Sequence, residues 1–504
     1  MTNPGAGALE RGRITLSRGA WKEAKQHLEQ AASAEGSPEA YELLSWAAWW
    51  DCDGDTVFSA RERSHRLYLD RGDVLGAARM ATWLSVDTID FRGEVAVAQG
   101  WRQRARRLLT GVPPAPEHAW LALLEGDQEL LVEEDVARAL ASARKARTLA
   151  SDLDVPDVRL LGLALEGIAT VSLGKVVEGM RLLDEAAATA LAGEFRERFA
   201  LSWTFCYLIY ACERARDYDR AAEWCSRLRE YAERAGVLFG QGVCRAHYGG
   251  FLVWRGDWPE AESELTIASE LLSRARPAAT AEAHVRLGEL RRRQGRLKEA
   301  LALFDEASPH PLALLGQAEV AIQEGRLGDA EEDLERLRRH IPEENKLQLI
   351  GCLELLVRVQ ALAGDPEKAA ATWGSVAEIA AVVPGVAIRA AASFSAGFIA
   401  AASDHLDDAR RRFEDAIDLY IESGAPYETA QARLELARVL LKMGRTQRAR
   451  AIAAQAKGAF DRLGASTEAD QSAALCDWED GDVDKTRFAL TARQIEILRL
   501  IAED

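Results

Sequence analysis

LGELRRRQGRLKEALALFDEA, residues 287–307, decides the fold. Gly288, Gly295, Ala300, Phe304 and Ala307 stand in it among charged and long aliphatic residues. Gly295 reads as a helix stop, because a residue without a Cβ takes the left-handed backbone that ends a helix. The stretch after it, LKEALALFDEA, carries apolar residues three and four apart, the helical period. The result is two helices joined by a tight turn. Gly288 lets the pair approach, Ala300 marks the crossing that a larger side chain would wedge open, and Phe304 fills the space toward the next unit.

The spacing recurs outward from this point. Gly249, Gly256, Ala261, Leu265 and Ala268 repeat it, as do Gly12, Gly19, Ala24, Leu28 and Ala31, and Gly167, Gly174, Gly179, Leu183 and Ala186. Shorter matches follow at Gly325, Gly364, Asp404 and Gly444, so the turns from 256 to 444 are spaced 39, 30, 39, 40 and 40 residues apart. Weaker copies turn near Asp55, Gly93, Glu134, Gly174 and Asp217. A period of about forty residues signals stacked helical units, none of which buries its apolar stripe alone. This pattern resembles the tetratricopeptide family over most of the chain. The resemblance implies an all-α, right-handed superhelical solenoid of about twelve hairpins, its helices longer than the family's usual 34-residue repeat requires. The array is expected over residues 1–463, a linker over 464–487, and a separate fragment over 488–504.

That last fragment contains LTARQIEILRLIAED, residues 490–504. Thr491 is suited to cap a helix, with Gln494 as its capping-box partner, and Ile495, Leu498 and Ile501 follow on one face. A terminal cap of the solenoid is one reading. The string Leu490, Thr491, Arg493, Ile497 and Leu498 also resembles the opening helix of the LuxR-type helix-turn-helix domain. Such a domain needs roughly 60 residues and reads DNA with a later helix, absent here. Forty-residue arrays of this kind resemble the sensor regions of bacterial transcriptional activators. The resemblance implies a regulator whose array binds a protein or small-molecule effector and so controls DNA binding through the missing remainder of that domain. The alternative is a constitutive scaffold. A shift between array shapes or homo-oligomers would carry the signal.

Composition narrows the remaining classes. Apolar residues make up 48% and charged residues 28% of the chain, and the net charge is −17. So acidic an array repels nucleic-acid phosphates. The first sixteen residues hold no apolar h-region, so no secretory leader is expected, and the longest uncharged stretch considered, Ala390–Ser403, is too short to span a bilayer. A cytoplasmic protein with seven reduced cysteines is expected. No P-loop, GxSxG, HExxH or dinucleotide fingerprint occurs, so no enzymatic activity, cofactor or metal is expected. Cys244 and His247 have ligand-like spacing, but free cysteines on several helices read better as small core residues. The Arg291–Arg293, Arg338–Arg339 and Arg410–Arg412 runs read as solvated helix faces.

The functional surface of such an array is the inner face of its first helices. There the chain is unusual over residues 205–225 and 242–254. Tyr207, Tyr210, Glu213 and Arg214 fall on one first helix, and Arg245, His247 and Tyr248 on the next. Aromatic area with Arg and His suits a ligand pocket, whereas core packing is the competing reading for the tyrosines. A second aromatic group, Trp46, Trp49, Trp50, Trp83 and Phe91, offers another groove or simply a core.

Overall fold

The structure is a computed structural model and describes residues 4–235, 242–383 and 385–478. Among the described residues there are 25 α-helices and no strand, and helices 1 to 24 form twelve antiparallel pairs. The pairs are α1 (Pro4–Arg18) with α2 (Trp21–Glu35), α3 (Pro38–Trp50) with α4 (Gly54–Asp70), α5 (Val74–Asp87) with α6 (Val95–Leu109), and α7 (Pro116–Leu131) with α8 (Val136–Asp152). Then come α9 (Pro156–Ser172) with α10 (Val176–Leu191), α11 (Arg198–Ala215) with α12 (Tyr218–Ala235), α13 (Gly242–Arg255) with α14 (Trp258–Ala275), and α15 (Thr280–Arg293) with α16 (Leu297–Ala307). The last are α17 (Pro311–Gln323) with α18 (Leu327–His340), α19 (Lys346–Leu362) with α20 (Pro366–Val382), α21 (Val386–Ala402) with α22 (Leu406–Glu422), and α23 (Pro426–Lys442) with α24 (Thr446–Leu463). The chain is thus an all-α array of tetratricopeptide-like hairpins. A further helix, α25 (Ser466–Cys476), lies in the stretch read as a linker and packs on α24 and α23.

The repeat positions do what their chemistry requires. Gly256, Gly295, Gly325, Gly364 and Gly444 all have positive φ, between 70° and 86°. Two turns lie elsewhere than expected: the left-handed residue is Cys52 rather than Asp55, and Arg216 rather than Asp217. Neither is glycine, so composition alone did not mark the turn. Ala24, Ala261, Ala300, Ala330, Ala369, Ala409 and Ala449 are fully buried at the helix crossings. A Cβ on Gly288 would lie 2.6 Å from Phe304, and one on Gly249 would lie 2.5 Å from Leu265. The missing side chain is what lets each pair close.

The array divides into two compact units. One comprises Met1–Ala169, Leu182–Thr204 and Ala268–Thr280; the other comprises Thr170–Arg181, Phe205–Ile267 and Ala281–Asp504. In the first, Trp49, Trp83 and Phe91 are buried, as the core reading expects, while Trp46 and Trp50 are half-buried. Phe199 at the start of α11 stacks on Trp46 at 5.5 Å and meets Trp83 and Trp120 at 5.6 and 5.8 Å. Behind these rings the wholly buried Arg61 pairs with Asp87 at 2.8 Å. The second unit folds its late hairpins back onto its early ones. Tyr427 at the start of α23 meets Trp258 at 5.9 Å, and Ser466 at the start of α25 donates to the Gln294 carbonyl at 3.1 Å.

Candidate functional site

The inner faces of α11, α13 and α15 bring together part of the expected set and add residues to it. With the turn at Arg216, position nine before each turn is Tyr207, His247 and Arg286, so these three occupy matching places on successive first helices. The centre is Glu213. Its carboxylate accepts from Arg286 Nη2 at 2.6 Å and Nε at 2.8 Å, and lies 2.9 Å from His247 Nδ1. His247 Nδ1 also lies 2.6 Å from Arg286 Nη2. One nitrogen cannot both donate to Glu213 and accept from Arg286; the Nδ1–H tautomer donates to the carboxylate, and the Nε2–H tautomer accepts the second Nη2 hydrogen of Arg286. Arg286 Nη1 donates to the carbonyl and carboxylate of Glu282 at 2.7 and 2.8 Å.

Electrostatics follow from this packing. Burial alone pushes the Glu213 carboxyl up, but Arg286 and His247 outweigh it and hold it at about 2. Glu282 is likewise held well below the carboxylate range, its burial outweighed by His310 and Arg286. Both carboxylates are ionised at neutral pH, and Arg286, 4% exposed, remains charged between them.

Tyr210 and Arg214 flank the centre. The Tyr210 ring lies 5.0 Å from His247, and Arg214 donates to the Tyr210 hydroxyl at 3.1 Å and to Asn345 Oδ1 at 2.6 Å. The other expected residues lie elsewhere. Tyr207 is 3% exposed and belongs to the core. Arg245 turns to Glu264 on α14 at 2.5 Å, and Tyr248 joins Arg229 and Glu260. A helix turns about 100° per residue, so neighbours of an inner His247 point aside.

Two expectations are corrected. Cys206 and Cys244 form a disulfide, with Cα atoms 5.5 Å apart; spacing in sequence could not show that α11 and α13 lay these residues side by side. The Arg291–Arg293 run is not a solvated face, since these residues are 8%, 3% and 8% exposed. Arg292 and Arg293 both donate to Glu289, at 2.7 and 2.6 Å; Arg293 also pairs with Glu428 of α23 at 2.8 Å. Arg292 approaches Glu319, which binds Arg358 of α19. Sequence reasoning missed this row, although a signal was present: Glu282, Arg286, Glu289 and Arg293 recur at 4, 3 and 4 residues, one helical face.

Among the described residues no cluster of three or more His, Cys, Asp or Glu is arranged to hold a metal, and no helix is long and apolar enough to cross a membrane. Leu490, Thr491, Arg493, Ile497 and Leu498 lie outside the described residues.

Among solved structures, the chain is similar to the APC/C hetero-tetramer Cut9–Hcn1, at 14% identity over 95% of each chain with a TM-score of 0.49. It is similar to yeast Tom70 at 14% identity, covering 93% of this chain and 96% of that one, with a TM-score of 0.34. A Rap protein complexed with competence and sporulation factor shares 12% identity over 63% of this chain and 80% of its own, with a TM-score of 0.35. No family model matches the chain, and no curated protein does. The fold class therefore rests on the repeated hairpins themselves.

Proposed function

We propose that the chain is the sensing and interaction array of a LuxR-type transcription regulator, which takes a small effector or partner on the inner face of α11, α13 and α15. The observation that carries the binding half is the converging set Tyr210, Glu213, Arg214, His247 and Arg286, in which charged groups face inward where a self-sufficient core would hold apolar ones. The regulatory half is supported by the resemblance of residues 490–502 to the start of a helix-turn-helix domain. Effector binding would favour one arrangement of the hairpins and alter the freedom of the C-terminal segment, by differential affinity for two states.

The test is the reading frame and its product. If the frame supplies further helices after Asp504, the product binds duplex DNA with strong salt dependence, and Glu213→Gln uncouples effector from DNA binding without loss of fold. A frame that closes at codon 504 removes the regulator reading.

A further inference from the structure

Two rungs cross the seam between α11 and α13. One is ionic: Glu213 meets His247, and Arg286 of α15 reaches the same carboxylate. The other is covalent: Cys206 is bridged to Cys244, closing a stretch that contains the whole of α12. Cys206, Tyr210 and Glu213 stand at i, i+4 and i+7 of α11, and Cys244 and His247 at i and i+3 of α13, so both rungs lie on one face of each helix. Tyr210, between them, holds its ring 5.0 Å from His247. Gly250 keeps the ionic rung open to α15, since a Cβ there would lie 2.7 Å from Glu213 Oε1 and 2.9 Å from Arg286 Cδ.

The two sulfurs differ in access. Cys244 is 4% exposed, whereas Cys206 is half-buried. Cys212 and Cys225, the other cysteines of these hairpins, are buried thiols. Burial pushes the Cys225 thiol up to about 12, so at neutral pH it supplies no thiolate to capture the bridge. An outside thiol therefore has one point of attack. We propose that the Cys206–Cys244 bridge is a redox latch on the sensing face, opened by a small cellular thiol or dithiol. The proposal deepens the sensing role above and rests on it, since a regulator array works among cellular thiols, where a bridged pair serves redox sensing rather than stapling. A thiolate attacks Cys206 Sγ; the S–S bond breaks, and Cys244 leaves as a thiolate and takes up a proton. A second thiol attacks the mixed disulfide and releases Cys206, so two thiols are oxidised to one disulfide as the bridge is reduced to two thiols. Opening removes the covalent rung and leaves the ionic one. The helices α11 and α13 stay in register through Glu213, His247 and Arg286, while Tyr210 and Arg214 gain freedom. The chain answers reduction by loosening this face, not by unfolding.

The experiment equilibrates the full chain in glutathione buffers, from fully oxidised to fully reduced, and counts free cysteines by alkylation after denaturation and mass spectrometry. The expected result is reversible conversion of the Cys206–Cys244 pair into two alkylated cysteines and back, with the helical circular dichroism unchanged. Hydrogen exchange over residues 206–213 and 244–250 should quicken about tenfold on reduction, and Cys206→Ser should reproduce the reduced rates in either buffer. If Cys206→Ser does not fold, Cys244→Ala takes its place, and reduction of the parent chain remains the deciding measurement. All seven cysteines free in oxidised glutathione would overturn the latch. So would a bridge that resists millimolar glutathione until the chain is denatured, loss of helix on reduction, or exchange rates that do not change. None of these outcomes touches the reading-frame and DNA-binding test of the regulator reading.

Discussion

Replacing Arg286 by Met tests whether the charged row is part of the interior. Methionine keeps much of the buried stem and removes the guanidinium. Glu213, whose side chain is 18% exposed, then keeps only His247. Its carboxyl is held at about 2 against an ordinary 4.5, a difference of 2.5. At about 1.36 kcal/mol per pH unit this corresponds to about 3 kcal/mol at neutral pH. Breaking a buried pair by removing one partner costs about 3–5 kcal/mol, which agrees. Arg286→Met should therefore destabilise the second unit by about 3–4 kcal/mol. The Glu213→Gln/Arg286→Met double variant should cost less than the single one, because the Glu213 charge leaves with its partner and only Glu282, whose side chain is 30% exposed, loses a contact. Equilibrium urea denaturation followed by circular dichroism and tryptophan fluorescence measures both. A loss below about 1 kcal/mol for the single variant is what an exposed pair gives and would refute the reasoning. So would a double variant that costs as much as the two single changes added together.

Acid should act oppositely on two kinds of buried carboxylate. Glu213 and Glu289 are both held at about 2, the latter because Arg292 and Arg293 outweigh its burial, so their contribution is present above pH 4.5 and is lost as pH falls toward 2. Asp87 is raised to about 6 by burial, against which Arg61 pulls down; between pH 6 and 3.8 the folded form holds a proton the unfolded form does not, so acidification through that window favours folding. Stability curves of Glu289→Gln and Asp87→Asn should flatten in those separate windows, and unchanged curves would contradict the assignments. Two glycines should also respond with opposite sign. Gly288→Ala puts a Cβ 2.6 Å from Phe304 and should cost about 1–3 kcal/mol, whereas Gly374→Ala in α20 meets nothing within 4 Å and should stabilise by about 0.5–1 kcal/mol. Thermal unfolding of the two variants against the parent reads both, and a stabilised Gly288→Ala would mean that the close helix crossing is absent.

Residues 287–307 were enough to determine the hairpin, and their recurrence was enough to determine the array, because turn, crossing and contact positions are local and steric. A glycine at positive φ, an alanine at a crossing and a large apolar residue four positions later mean the same thing wherever a copy keeps them. Four of the five converging residues were legible for a related reason: Tyr210, Glu213, Arg214 and His247 are polar or aromatic residues on first helices, where the repeat gives the inner face. Only the tertiary structure decided the rest. Arg291–Arg293 look like a solvated run in sequence, and they are buried because α17, α19 and α23 bring Glu319, Arg358 and Glu428 around them from positions far along the chain. Likewise Cys206 meets Cys244 only once α11 and α13 are stacked. Charge in a sequence specifies what a residue must be paired with, not where the partner comes from; that depends on which helices the stacking sets opposite one another.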